Sequence, residues 1–150
     1  MSLEEVLEQA DVISLHVPYL PSTHHLINAE RLRLLKPTAL LINTSRGKVV
    51  DTEAVVSALR ENRLGGVALD TFEGEDIWIE EEFLKHDDLP AIALREAMES
   101  FSIMRSERAI LTPHNAFNTR EALDRILITS AENLKEYFSG HPQNVVTSIP

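Results

Sequence analysis

The sequence predicts an α/β fold built on a parallel sheet, and two observations carry that expectation. β-rich runs alternate at short spacing with helix-period segments, from Val12–Val17 through Ala39–Ile42 to Val67–Leu69. Such alternation is the pattern of right-handed strand–helix–strand units. The middle run is uninterrupted apolar sequence, as a strand buried on both faces requires, and it leads straight into Asn43-Thr44-Ser45-Arg46-Gly47.

Each element has its own local reason. Ser2 and Glu5 form a capping box, and Leu3, Val6, Leu7 and Ala10 follow at helical spacing. After Asp11 the run Val12–Val17 reads as a strand stopped by Pro18. Pro18 and Pro21 bracket a loop that Ser22 and Thr23 close. Asn28 caps a short helix, Ala29 to Leu35, which Lys36-Pro37 terminates. Asp51 caps a helix through about Asn62, with Val55, Ala58 and Leu59 on its buried stripe. Gly65-Gly66 then opens the strand Val67–Leu69, which runs into Asp70.

Between Glu73 and Arg108 the pattern breaks. Glu73, Glu75, Asp76 and Glu80 to Glu82 make an acidic stretch around Ile77, Trp78, Ile79 and Phe83. It reads as a surface excursion with a solvated acidic face, anchored by Trp78. Leu94, Ala97, Met98, Phe101 and Met104 give a helical stripe beyond it. Ala109–Leu111 reads as a fourth strand, ending at Thr112-Pro113-His114. Asn118 and Glu121 form a capping-box pattern for a helix over 118–139, with Leu123, Ile126, Leu127, Leu134 and Phe138 as its stripe and Gly140 as its stop. One domain is expected over the 150 residues.

Composition narrows the function classes. Hydrophobic content of 43% and charged content of 25% are ordinary for a soluble globular chain. A formal net charge of −10 argues against nucleic-acid and anionic-membrane surfaces, which attract basic patches. No run approaches a membrane span, and the first residues lack a signal-peptide pattern, so a cytoplasmic location is expected. The absence of cysteine removes thiolate nucleophiles and Cys-based zinc sites.

Chemistry enters at the strand ends. Three of them lead to Arg46, to Asp70 with Glu75 beyond, and to His114. Ligands of parallel sheets sit beyond the carboxyl ends of the strands, where separate strand ends converge. A guanidinium grips a carboxylate bidentately, and a histidine next to a carboxylate can deliver a proton. Together they suit proton transfer to the carbonyl oxygen of a 2-oxo acid, with a hydride from a nicotinamide. Asp70 is alternatively a strand-end cap, and Val17, Pro18 and Thr23 are alternatively ordinary loop residues. Adjacent His24 and His25 are not expected to form a metal pair, because neighbours on an extended chain point oppositely.

The stretches Ala10–Pro18, Leu41–Gly47, Leu69–Glu75 and Leu111–His114 resemble, in order, the D-isomer-specific 2-hydroxyacid dehydrogenases, with the D-lactate dehydrogenase branch most similar. The resemblance implies a Rossmann-like parallel sheet with helices on its faces, and NAD as cofactor. It implies Arg46 as the carboxylate grip, His114 as acid/base and Glu75 as its partner. Val17, Pro18, Thr23, Thr44, Ser45, Arg46 and Asp70 would line the cofactor cleft, with His16 nearby. Arg46, His114 and Phe117 would line the substrate pocket. It further implies a homodimer acting on pyruvate-like 2-oxo acids. No G-x-G-x-x-G occurs in the chain, so the resemblance is to the C-terminal half of a cofactor domain, a single partial dinucleotide-binding domain over 1–150. Thr71 stands where an aliphatic residue is common. The alternative is a non-catalytic fragment, or a regulatory or interaction module of the same ancestry.

Overall fold

A computed structural model describes residues 1–75 and 91–146. They fall into two compact units, Met1–His114 and Asn115–Pro150. The acidic residues from Asp76 to Glu82 and the anchor assigned to Trp78 lie outside the described residues.

The first unit is a four-stranded parallel sheet in the order β1 (Val12–Leu15), β2 (Leu40–Asn43), β3 (Gly66–Leu69), β4 (Ala109–Leu111). Its register is what builds a site. Leu15 pairs with Asn43, Asn43 with Leu69, and Leu69 with Leu111, so all the strands end level. The residues that follow therefore emerge along one edge.

Local chemistry sets the helices. Ser2 and Glu5 close the capping box of α1 (Leu3–Gln9), with Glu5 N donating to Ser2 Oγ at 3.2 Å. Asn28 accepts from Arg31 N at 3.0 Å and starts α2 (Ala29–Leu32), which is shorter than the sequence suggests because Lys36-Pro37 leaves only turns after it. Asp51 accepts from Ala54 N at 3.0 Å at the head of α3 (Thr52–Arg60). Arg108 donates to the Leu59 carbonyl in the last turn of α3 and, at 3.1 Å, to that of Leu64, tying the start of β4 to the segment after α3.

Alternation along the strands divides the sheet into two unlike faces. Ile13, Leu15, Leu41, Val67 and Leu69 are buried with Leu7, Leu32, Val55 and Leu59 in one core. On the other face Val12, Leu40 and Ile110 stay 53%, 45% and 67% exposed. Of the stripe expected on α4 (Ala91–Met104), Met98, Phe101 and Met104 are exposed. Among the described side chains of this helix, Ser100 and Ile103 are buried, at 0% and 1% exposed. A stripe rule counts apolar residues, whereas Ser100 is drawn in by a hydrogen bond to the Glu73 carbonyl at 2.9 Å.

The second unit is α5 (Arg120–Phe138), capped by Thr119, whose hydroxyl accepts from Ala122 N at 3.2 Å. The cap falls one residue after Asn118, since it is the Thr119 side chain that reaches the first turn. No residue of α5 is buried, and Leu123, Ile126, Leu127, Leu134 and Phe138 are all exposed. Among the described residues no helix is long and apolar enough to cross a membrane.

Candidate active site

A cleft of about 850 Å³ opens at the carboxyl ends of β1, β2 and β3. Its walls are His16 to Tyr19 after β1, Thr44 to Lys48 after β2, and Phe72 to Glu75 after β3. Six residues assigned from sequence meet there: Val17, Pro18, Thr44, Ser45, Arg46 and Glu75.

Arg46 is exposed, and among the described residues its side chain bonds locally, from Nη1 to the Ser45 carbonyl at 2.7 Å. The guanidinium has five N–H donors, so most of its fork remains for a ligand. His114 lies beside this edge with Nδ1 3.3 Å from Glu75 Oε1. Its ring is half-exposed while the glutamate is largely covered, at 37% and 15% of side-chain surface. A carboxylate at Nδ1 fixes the tautomer and leaves Nε2 for proton exchange with a ligand. His114 has φ of +50°, a left-handed conformation held by its N–H, which donates to the Asp70 carbonyl at 2.9 Å.

Asp70 and Thr23 are not among the walls of this cleft. Asp70 is 5% exposed, its carboxylate accepting from the Thr112 hydroxyl, so its side chain joins the ends of β3 and β4. Thr23 closes its own loop: its hydroxyl lies 2.8 Å from the Pro18 carbonyl and accepts from Leu20 N at 2.7 Å. Ser45 Oγ donates to the Val17 carbonyl at 2.6 Å, tying the β2 loop to the β1 loop. Phe117 belongs to the second unit and is 54% exposed.

The histidine pair behaves differently from its extended-chain expectation. His25 has φ of +46°, which turns its ring onto that of His24, with centroids 4.0 Å apart and planes at 20°. His25 Nε2 then meets Glu73 Oε1 at 2.8 Å, and Glu73 Oε2 accepts from Thr52 N at 3.0 Å. The buried Glu73 thus bridges the β1 loop and the head of α3. Its only sequence signal was an acid in an acidic run. Among the described residues no cluster of acids and histidines could hold a metal ion.

Two further features govern how the loops stack. A Cβ on Gly47 would stand 2.4 Å from the Phe72 carbonyl carbon and oxygen, so the Arg46 loop rests backbone on backbone against the β3 loop. Next to it Thr71 is fully buried with a hydroxyl that has no hydrogen-bond partner among the described residues. Burying an unpaired hydroxyl costs about 1–3 kcal/mol, and valine has nearly the same shape. Thr71→Val is therefore expected to raise the thermal unfolding midpoint, by an amount equivalent to about 1 kcal/mol. A calorimetric midpoint equal to or below that of the parent would contradict it.

The fold is shared with known proteins. The model of the D-isomer specific 2-hydroxyacid dehydrogenase NAD binding domain matches residues 1–116. A glyoxylate reductase of Thermofilum pendens is 41% identical over 138 residues, 92% of this chain and 35% of its own length. A D-lactate dehydrogenase of Curvularia clavata is 35% identical over 95% of this chain and 39% of its own. Among solved structures, D-lactate dehydrogenase from Aquifex aeolicus, complexed with NAD and lactic acid, superposes with a TM-score of 0.84. It is 38% identical and is covered over 41% of its length, against 94% of this chain. The chain thus spans about two-fifths of the length of these relatives. With four parallel strands, a cleft at their carboxyl ends and a family match over 1–116, this chain belongs to the D-isomer-specific 2-hydroxyacid dehydrogenases, in their NAD-binding domain.

Proposed function

We propose that the chain carries the acid/base and carboxylate-binding half of an NAD-dependent D-2-hydroxyacid dehydrogenase. The reaction interconverts a small 2-oxo acid such as pyruvate and its D-2-hydroxy acid. The observation that supports this most is the Glu75–His114 pair at 3.3 Å on the strand-end edge that also presents Arg46. Arg46 binds the substrate carboxylate, and His114 gives its proton to the carbonyl oxygen as that oxygen gains charge. Glu75 holds the imidazole in register. Bound NADH supplies the hydride.

The residues present fit the nicotinamide end of that cofactor. Val17 and Pro18 offer an apolar wall, and Thr44, Ser45 and Arg46 offer polar groups on the facing loop. The pyrophosphate has no glycine-rich cradle in this sequence, so these residues account for part of the cofactor site. NADH oxidation by the chain with pyruvate and with glyoxylate, against His114→Asn, tests the reading. Turnover lost in the variant supports it. Saturable NADH binding with no reduction of either acid favours the non-catalytic alternative.

Self-association accompanies this reading. Val12 pairs in register with Leu40, and all three exposed apolar residues Val12, Leu40 and Ile110 share one face of a parallel sheet. Parallel sheets are normally covered on both faces. Sedimentation is expected to show a dimer at micromolar concentration, shifted towards monomer by Leu40→Lys. A parent chain that stays monomeric throughout the concentration range would dispose of it.

A further inference from the structure

We infer that Asn43 is a positioning residue that fixes the carboxylate-binding loop against the loop carrying Glu75; the inference rests on the dehydrogenase reading above. Asn43 is the last residue of β2 and is 0% exposed. Its Nδ2 donates to the Arg46 carbonyl at 3.0 Å and to the Thr71 carbonyl at 3.3 Å. Its Oδ1 accepts from Ser45 N at 3.1 Å. One amide thus engages the backbone on both sides of the cleft, and its own backbone carbonyl accepts from Asp70 N at 2.9 Å.

The chemistry of the site calls for a carboxamide. Two N–H donors aimed at two carbonyls, with an oxygen left for an N–H, is the inventory of asparagine. Aspartate in the same shape turns both donor contacts into repulsions against carbonyl oxygens and buries a charge. The consequence of the clamp is visible at Gly47, where the loops approach too closely for any side chain. Arg46 binds and Glu75 orients His114, so the spacing of these loops sets the distance between the substrate carboxylate and the proton donor. Misplacement of reacting groups by about 1 Å costs on the order of 10²-fold in rate.

Asn43→Ser keeps a small polar side chain and opens the clamp. It is expected to lower kcat/KM for the 2-oxo acid by about 10²-fold, through both KM and kcat, while the NADH dissociation constant changes little. Loss of fold alone lowers the active fraction and leaves KM unchanged, so the split between KM and kcat separates the two roles. In an Arg46→Lys background the KM part of the Asn43→Ser effect is expected to vanish, because it acts through Arg46. Full additivity, or parental kinetics in Asn43→Ser, overturns the proposal. A parent chain that binds NADH saturably yet reduces no 2-oxo acid overturns the dehydrogenase reading instead. Amide hydrogen exchange then tests the clamp without turnover: Asn43→Ser must speed exchange at Ser45 and at Asp70 to Glu75 together. Acceleration confined to Ser45 refutes it.

Discussion

Arg46→Gln is expected to lower kcat/KM for a 2-oxo acid by about 10²–10³-fold, the worth of two charge-assisted hydrogen bonds to a carboxylate. The effect should lie mostly in KM, because the carboxylate is present equally in substrate and transition state. The fold should tolerate the change. Arg46 is exposed, and its recorded side-chain bond goes to the neighbouring Ser45 carbonyl. Arg46→Lys should fall between the two, since it keeps the charge and loses the planar fork. Steady-state kinetics with unchanged melting behaviour would establish the role. A parental KM in Arg46→Gln would mean that the carboxylate is held elsewhere.

His114→Asn is expected to lower kcat by about 10²–10⁴-fold, the usual contribution of a positioned acid/base. Asparagine is the appropriate replacement because residue 114 sits at φ of +50°, a conformation asparagine tolerates and β-branched residues do not. NADH binding should persist, since the His114 ring is not among the walls of the cleft. The sign of the pH response follows from the role. Reduction takes a proton from His114 and oxidation returns one, so raising the pH is expected to slow reduction and to favour oxidation. Both slopes should flatten in His114→Asn. A variant that kept the parental pH profile would move the proton to another group. Glu75→Gln should have the same character with a smaller loss, because it leaves the acid in place and loosens its orientation.

Which parts of this were legible in the chain depends on the range of the physics involved. The capping residues Ser2, Asn28 and Asp51 bond within their own first turns, and each was readable from a few consecutive letters. The cap of α5 is Thr119 and not Asn118; both are good capping residues, and consecutive letters do not choose between them. The α4 helix was legible from its period, and Met98, Phe101 and Met104 of its stripe are exposed. Periodicity does not name the residues that pack inward, which among the described side chains are Ser100 and Ile103.

The sequence by itself determined the alternation of strands and helices, and with it the parallel sheet, because pattern and capping are local. It also determined that arginine, glutamate and histidine follow strand ends, the set on which the proposed chemistry rests. Tertiary structure decided which of those groups meet. The level register of the strands brings Arg46 and Glu75 to one cleft and sets Glu75 3.3 Å from His114. It also diverts Asp70 to Thr112 and Thr23 to its own loop. Asn43 and the His25–Glu73 bridge were invisible beforehand for the same reason. A buried polar side chain takes its role from partners 28 and 48 residues away, and a hydrogen bond of that span leaves no period and no motif in the chain.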